Sequence, residues 1–145
     1  MTYRKILVAV DTTDEADDIL TAAKDVLNDE NGAISIVCVI KPLTGFYVDM
    51  YSVLGDAPDV ESQAVDRTTN WLSDLASRHG VNADEVNVII GTPAVEIRKM
   101  AEHMGADLIV IGTHGQHGLG LMLGSTANSV LHGVQCNVLA VRVRV

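Results

Sequence analysis

Five short apolar runs, separated by segments of helical periodicity, constrain most strongly how this chain can fold. Each run is five to eight residues long, is rich in Val and Ile, and stops at a polar or glycine-containing turn, which is typical of a strand buried on both faces. Strands that alternate with helices form parallel sheets, so the pattern predicts an α/β fold with one parallel sheet and helices on both faces. The predicted strands are 5–10, 33–40, 86–90, 107–111 and 138–143.

The segments between the runs carry helix signals. Thr13 or Asp14 can cap a first helix, which is acidic in its first turn and ends within 28–32. A second helix is predicted over 60–79. Pro93 at the first helical position starts a third, which Gly105 ends. Ser125 or Gly124 can cap a fourth helix, which is predicted to end near 132–133.

The stretch 43–59 is predicted to be irregular, because its apolar residues follow neither the period of a helix nor that of a strand. It holds three of the chain's five aromatic residues, Phe46, Tyr47 and Tyr51. Long loops of compact domains are often lids or binding segments. The role of this loop as a lid, a dimer contact or simple packing stays open.

Composition and charge narrow the class of protein. A length of 145 residues with 48% hydrophobic residues fits one domain, taken here as 1–145. A net charge of −9 disfavours nucleic acid and an anionic membrane surface as partners. The chain shows no signal-peptide pattern and no apolar run of ~18 residues. Cys38 and Cys136 form neither a CxxC motif nor a zinc-binding pattern. A cytoplasmic protein is therefore expected.

The glycine-rich stretch 112–124 is the strongest functional signal. It has five glycines in thirteen positions and leads into the predicted fourth helix at Ser125. Glycine lets a ligand approach backbone N–H groups, and this arrangement suits a phosphate. The stretch is neither a Walker A motif nor a dinucleotide fingerprint. A purely structural loop is the alternative.

The expected position of a site is the carboxyl edge of the sheet, where strand order reverses. Asp11 follows the first strand there, although it could also cap a helix. His114 and His117 suggest a metal, but no third ligand has suitable spacing. A hydrolytic set of Ser125, His114 and Asp11 lacks a nucleophile elbow. Neither a histidine metal site nor a hydrolytic triad is therefore expected.

Several segments resemble the universal stress protein family, in the correct order and over essentially the whole chain. They are 3–11 (YRKILVAVD), 91–97 (GTPAVEI), 106–115 (ADLIVIGTHG), 123–126 (LGST) and 136–142 (CNVLAVR). The resemblance implies an open five-stranded parallel sheet of order 3-2-1-4-5 with four helices, the Rossmann-like adenine nucleotide alpha hydrolase-like fold. It also implies a homodimer that pairs its last strands, residues 138–143 here.

The ATP-binding branch of that family has the pattern Gly-x2-Gly-x9-Gly-Ser/Thr after the fourth strand. Matching positions here imply a site for ATP or AMP, with Mg²⁺ as a companion of ATP. The base would lie against Ala9 and Val10 at the end of the first strand and Val39 at the end of the second. Asp11 would contact the nucleoside, and the glycine-rich stretch would hold ribose and phosphates. The implied site residues are Ala9, Val10, Asp11, Val39, Gly112, Thr113, His114, Gly115, Gly124, Ser125 and Thr126.

Two departures from the family pattern bear on this implication. Eight residues rather than nine separate Gly115 from Gly124, and Gln116 stands where the family often has Arg or Lys. Both changes are expected to weaken triphosphate binding. The leading hypothesis is a nucleotide-binding regulatory protein of stress physiology, with slow hydrolysis at most, because no cation or general base is evident near the phosphates. A nucleotide-free dimeric interaction protein and an enzyme of adenylate chemistry are the alternatives.

Overall fold

The computed structural model describes residues 2–28, 30–42, 57–113 and 125–142. Within these ranges the chain alternates strands and helices, and a single 3₁₀ turn at Ala83–Glu85 precedes the third strand. The elements are β1 (Lys5–Ala9), α1 (Glu15–Asp25), β2 (Ala33–Ile40), α2 (Ala57–Arg78), β3 (Val86–Ile90), α3 (Pro93–Met104), β4 (Leu108–Gly112), α4 (Ser125–Leu131) and β5 (Asn137–Val141).

The five strands form one parallel sheet of order β3-β2-β1-β4-β5. This confirms the predicted fold class. The central strand β1 pairs with β2 on one side and β4 on the other, so Ala9 lies opposite both Val37 and Ile111. The chain builds outward from β1 to β3 and then returns to the other side of β1. Strand order therefore reverses between β1 and β4, and the two carboxyl ends leave a crevice there.

Aliphatic side chains cover both faces of the sheet. Val8 and Ile36 pack against α1 and α2, whereas Leu7 and Val37 pack against α3 and α4. All four are fully buried, and each contributes roughly 1.5–3 kcal/mol by burial. The runs thus lack polar alternation because neither face of the sheet meets water.

Helix ends follow the predicted signals except at the end of α1 and the start of α2. The prediction that the first helix ends within 28–32 was wrong: α1 ends at Asp25, because the backbone groups of Val26 and Asn28 form hydrogen bonds with Tyr3 beside β1 instead. Thr92 precedes Pro93 at the start of α3, and Gly105 ends that helix in a left-handed conformation with φ of 68°. The helix α2 begins at Ala57, three residues before the predicted start, so the prediction of irregular structure over 57–59 was wrong. Pro58, the second residue of α2, is tolerated in the first turn, where its missing N–H has no helical partner. The rest of the predicted irregular stretch lies outside the described residues.

Polar contacts join the amino ends of the strands. The carboxylate of Asp107, just before β4, accepts hydrogen bonds from the backbone N–H groups of Arg4 (2.9 Å) and Lys5 (3.0 Å). At the start of β5, Asn137 Nδ2 donates to the Tyr3 hydroxyl at 3.0 Å. These contacts fix β1, β4 and β5 at the edge opposite the crevice.

Candidate functional site

The crevice is bounded by strands of unequal length. Ala9 ends β1 opposite Val37, but β2 continues to Ile40. Ile111 lies opposite Ala9 on the other side, and β4 ends one residue later at Gly112. The end of β2 therefore extends past the end of β1 and forms one wall of the crevice.

Backbone groups of Val39 face this crevice. The Val37 carbonyl accepts from the Val10 N–H at 3.0 Å on the β1 side, whereas the Ile40 carbonyl accepts from the Gly91 N–H at 2.9 Å on the β3 side. Backbone direction alternates along a strand, so Val39, two residues after Val37, directs its N–H and C=O toward β1. The register shows no β1 residue opposite Val39. Val39 thus offers one donor and one acceptor side by side.

Side chains at the strand ends divide between the two faces of the sheet. Ala9, Val39 and Ile111 lie on the α3 and α4 side, while Val10 and Cys38 lie on the α1 and α2 side. The residues Ala9 and Val39 are thus brought together on one face. Val10 packs in the opposite core and reaches the crevice through its backbone.

Asp11 stands directly past the end of β1. Its carbonyl accepts the Thr13 N–H at 2.8 Å in the turn that leads to α1. Burial raises the pKa of the Asp11 carboxyl, the negative charge of Glu15 raises it further, and the positive charge of Lys41 lowers it. Although the residue is exposed overall, its carboxyl lies close to the charges of α1 and of the segment after β2. It is an acceptor at the rim of the crevice.

Lys41 was not predicted as a site residue, yet its charge acts on Asp11. The signal was present in the sequence, since Lys41 directly follows β2 and so lies at the same edge of the sheet as Asp11.

The charge of Asp11 also affects the thiol of Cys38. Burial, and next the charge of Asp11, raise the pKa of Cys38 to about 11. Cys38 is therefore a protonated core thiol beneath the crevice.

Thr113 follows β4 on the other side of the crevice. Its N–H donates to the Val141 carbonyl at 2.9 Å, which holds the residue against the end of β5. Its hydroxyl oxygen is buried, and no atom of the described residues forms a hydrogen bond with it. A buried hydroxyl without a partner costs about 1–3 kcal/mol. The hydroxyl belongs to the residue that directly follows β4, and its hydrogen-bonding capacity is unused within the described residues.

The remaining predicted site residues lie further along the chain. Ser125 is exposed and Thr126 is half-buried at the start of α4. The helix α4 has seven residues in the described part of the chain. His114, Gly115 and Gly124, with the rest of 114–124, lie outside the described residues.

Within 2–28, 30–42, 57–113 and 125–142 there is no group of three His, Cys, Asp or Glu residues that could hold a metal. In the same ranges no helix is both long and apolar enough to cross a membrane. His114 and His117, on which the metal and hydrolytic alternatives depend, lie outside the described residues.

Comparison with known proteins identifies the family. The model of the universal stress protein family matches residues 2–142. The chain belongs to the universal stress protein family. Universal stress protein A homolog 2 of Coxiella burnetii is 34% identical over 143 residues, which are 98% of this chain and 97% of that protein.

Solved structures share the fold of this universal stress protein. The structure of hypothetical protein MJ0577 has a TM-score of 0.81 at 24% identity, and the match covers 100% of this chain and 99% of the MJ0577 chain. A universal stress protein in complex with cAMP has a TM-score of 0.62 at 22% identity, with coverage of 97% and 98%. At this identity the likeness shows the fold alone.

Proposed function

We propose that this universal stress protein binds an adenine nucleotide, ATP or AMP, in the crevice between β1 and β4 and acts as a nucleotide-dependent regulator in stress physiology. The observation that carries the proposal is the buried Thr113 hydroxyl, which has no partner among the described residues and lies where strand order reverses. The crystallised relative in complex with cAMP supports a nucleotide as the ligand class.

The base would be recognised by the end of β2. The Watson–Crick edge of adenine places an acceptor, N1, beside the exocyclic N6 donor. The N–H and C=O of Val39 offer the matching donor and acceptor, and Ala9 on the same face would contact the ring. Guanine presents the opposite pattern, with an N–H at N1 and an acceptor at O6. The backbone of Val39 therefore favours adenine.

The sugar and phosphates would lie between Asp11 and the start of the glycine-rich stretch. The Asp11 carboxylate would accept from a ribose hydroxyl, and the Thr113 hydroxyl would donate to a ribose or phosphate oxygen. Gly112, Gly115, Gly124, Ser125, Thr126 and His114 would complete the phosphate side, and Mg²⁺ would accompany ATP. Hydrolysis, if present, is expected to be slow, and regulation would follow from occupancy of the crevice.

Calorimetric titration with ATP and AMP tests the proposal, together with chromatography of small molecules released when the purified protein is denatured. Asp11→Asn keeps the size of the side chain but removes a charged acceptor, so affinity should fall about tenfold or more. Asp14→Asn is the matched control, because Asp14 is an exposed acid at the start of α1 whose side chain makes no capping hydrogen bond. Equal affinities of the two variants would refute the role of Asp11.

Absence of any bound or titratable nucleotide would overturn the proposed function. It would favour the nucleotide-free interaction protein, to which the shortened spacer and Gln116 already point. Turnover of ATP to AMP and pyrophosphate, lost in the Asp11→Asn variant, would instead indicate an enzyme of adenylate chemistry.

We also propose a homodimer that pairs β5 with its copy. In the described sheet β5 is an edge strand with β4 as its neighbour. The Val141 carbonyl faces β4, so by alternation Ala140, which is exposed, directs its N–H outward. Ala140→Pro removes that N–H and leaves the bonds to β4 in place. Light scattering should show a dimer for wild type and for Ala140→Val, and a monomer for Ala140→Pro. A dimeric Ala140→Pro variant would refute pairing through β5.

A further inference from the structure

A second concave surface lies at the opposite edge of the sheet from the crevice. It is a groove of about 460 Å³ between α3 and the segment that joins α4 to β5. Gly105 and Ala106, which precede β4, and Cys136, which precedes β5, lie in its wall. These residues mark the amino ends of the strands, so the groove is separate from the proposed nucleotide site.

Arg98 gives the groove a fixed positive charge. Its Nη1 donates to the Ser129 carbonyl at 2.8 Å, and its Cδ lies so close to Gly133 that a Cβ there would approach it to 2.6 Å. Arg98 is half-buried, yet no carboxylate of the described residues forms an ion pair with it. The chain has nineteen acidic and ten basic side chains, so an acid could easily have been placed there.

The other charges of the groove are exposed. Lys99 contacts Glu96 at 3.9 Å and is 71% exposed, so this pair contributes little neutralisation. Glu102 also lines the groove, one helical turn after Arg98, and it opposes an anion. It is exposed to solvent, where its repulsion is screened. The charged residues that line the groove are two cations, Arg98 and Lys99, and one acid, Glu102.

The rest of the lining is largely aliphatic and includes Val95, Ala101, Ala106 and Val134. Pockets of about 300–1,000 Å³ hold small molecules and combine apolar walls with a few placed polar groups. We propose that this groove binds an organic anion with an aliphatic body and one carboxylate or phosphate group, held by the guanidinium of Arg98. The remaining N–H donors of Arg98 suit the paired oxygens of such a head group.

Titration by NMR tests this assignment with four probes: octanoate, octyl phosphate, 1-octanol and inorganic phosphate. The reporters are the Arg98 Nε–H and the backbone amides of Gly133 and Gln135. Octanoate or octyl phosphate should shift these signals, and the stronger of the two identifies the preferred head group. Octanol, which has the chain without the charge, and inorganic phosphate, which has the charge without the chain, should bind at least about tenfold more weakly.

Variants test separately the charge of Arg98, the position of its side chain and the repulsion from Glu102. Arg98→Met keeps an aliphatic stem and should weaken binding about tenfold or more. Gly133→Ala keeps the charge but displaces the side chain of Arg98, and should weaken binding by less. Glu102→Gln should tighten it. Arg67→Met, at an exposed arginine on α2, is the control and should bind as wild type does.

Accessibility of Cys136 gives an independent readout. Cys136 is half-buried in the groove, so a bound anion should slow its alkylation by N-ethylmaleimide. Cys38 is 6% exposed and serves as the unreactive internal control. The assignment fails if octanol protects and binds as well as octanoate, or if Arg98→Met retains wild-type affinity. Loss of nucleotide binding in the Asp11→Asn variant does not contradict the proposed anion site, since the two sites lie at opposite edges of the sheet.

Discussion

Replacing Thr113 with Val should stabilise the free protein and weaken its binding of nucleotide. The two side chains have nearly the same shape, and both are β-branched, so packing and strand preference change little. The substitution removes a buried hydroxyl that no described residue satisfies. Removal of an unpaired buried hydroxyl recovers part of a penalty of about 1–3 kcal/mol. Because Thr113 as a residue is half-buried, a gain of about 1 kcal/mol is expected.

Urea unfolding of the free protein measures this gain directly, and thermal unfolding should show a rise of about 2–4 °C for a chain of this size. In the presence of nucleotide, the difference in stability between Thr113→Val and wild type should vanish or change sign. Loss of one neutral hydrogen bond lowers affinity by about 0.5–1.5 kcal/mol, so the stabilisation by saturating ATP falls by a similar amount. Wild type and variant are then expected to unfold at nearly the same temperature in excess ATP.

Thr92→Val is the matched control. Thr92 also follows the carboxyl end of a strand, is exposed, and makes no capping hydrogen bond through its side chain. This variant should leave both stability and nucleotide affinity within about 0.5 kcal/mol of wild type. A Thr113→Val variant that is destabilised by 1 kcal/mol or more would refute the reasoning, because the hydroxyl would then have a partner in the free protein.

Three further predictions concern the rest of the fold. Asp107→Ala removes the acceptor of two backbone N–H groups at the start of β1, so urea unfolding should show a loss of about 1–2 kcal/mol. A hydrogen bond from His79 holds the pKa of Asp17 below its ordinary 3.8. The contribution of this contact to stability is fully present above pH 3.8, and it is lost as the pH falls through the lower pKa of the folded state. Asp17→Asn should therefore be less stable than wild type near pH 6 and equal to it near pH 2, as followed by urea unfolding across pH. A thiol titration near pH 8 should detect Cys136 before Cys38, whose pKa is about 11, and equal rates would contradict the buried position of Cys38.

Sequence reasoning predicted the sheet well, because each strand is an uninterrupted apolar run with clear boundaries. The limits of β2 and β3 match the predicted ones. The predicted limits of β1 (5–10), β4 (107–111) and β5 (138–143) were wrong by one or two residues. The start of α2 does not match its prediction. Proline favours the first turn of a helix, and this rule correctly places Pro93 at the start of α3, but it was not applied to Pro58 in α2. The 3₁₀ turn at Ala83–Glu85 was missed as well. Its signal is Asn82, whose side chain accepts the Asp84 N–H at 2.9 Å.

The candidate site was predictable as a place, and less so as a set of contacts. Position at the carboxyl ends of β1 and β2 identified Asp11 and Val39. The same rule also places Lys41, which directly follows β2, at this edge, although its effect on the pKa of Asp11 was not predicted. The two-residue period of a strand does show that Ala9 and Val10 point to opposite faces. The unpaired hydroxyl of Thr113 depends on packing in three dimensions, which no local pattern encodes.

The position of β1 at the centre of the sheet has a consequence for synthesis of the chain. One neighbour, β2, leaves the ribosome soon after β1, but Lys5 and Asp107 on the other side are 102 positions apart. Until β4 emerges, the nascent protein carries an apolar central strand with one open edge, a form that invites chaperones or misassembly. The crevice between β1 and β4 does not exist before that moment, so no ligand of the crevice can assist the early steps of folding.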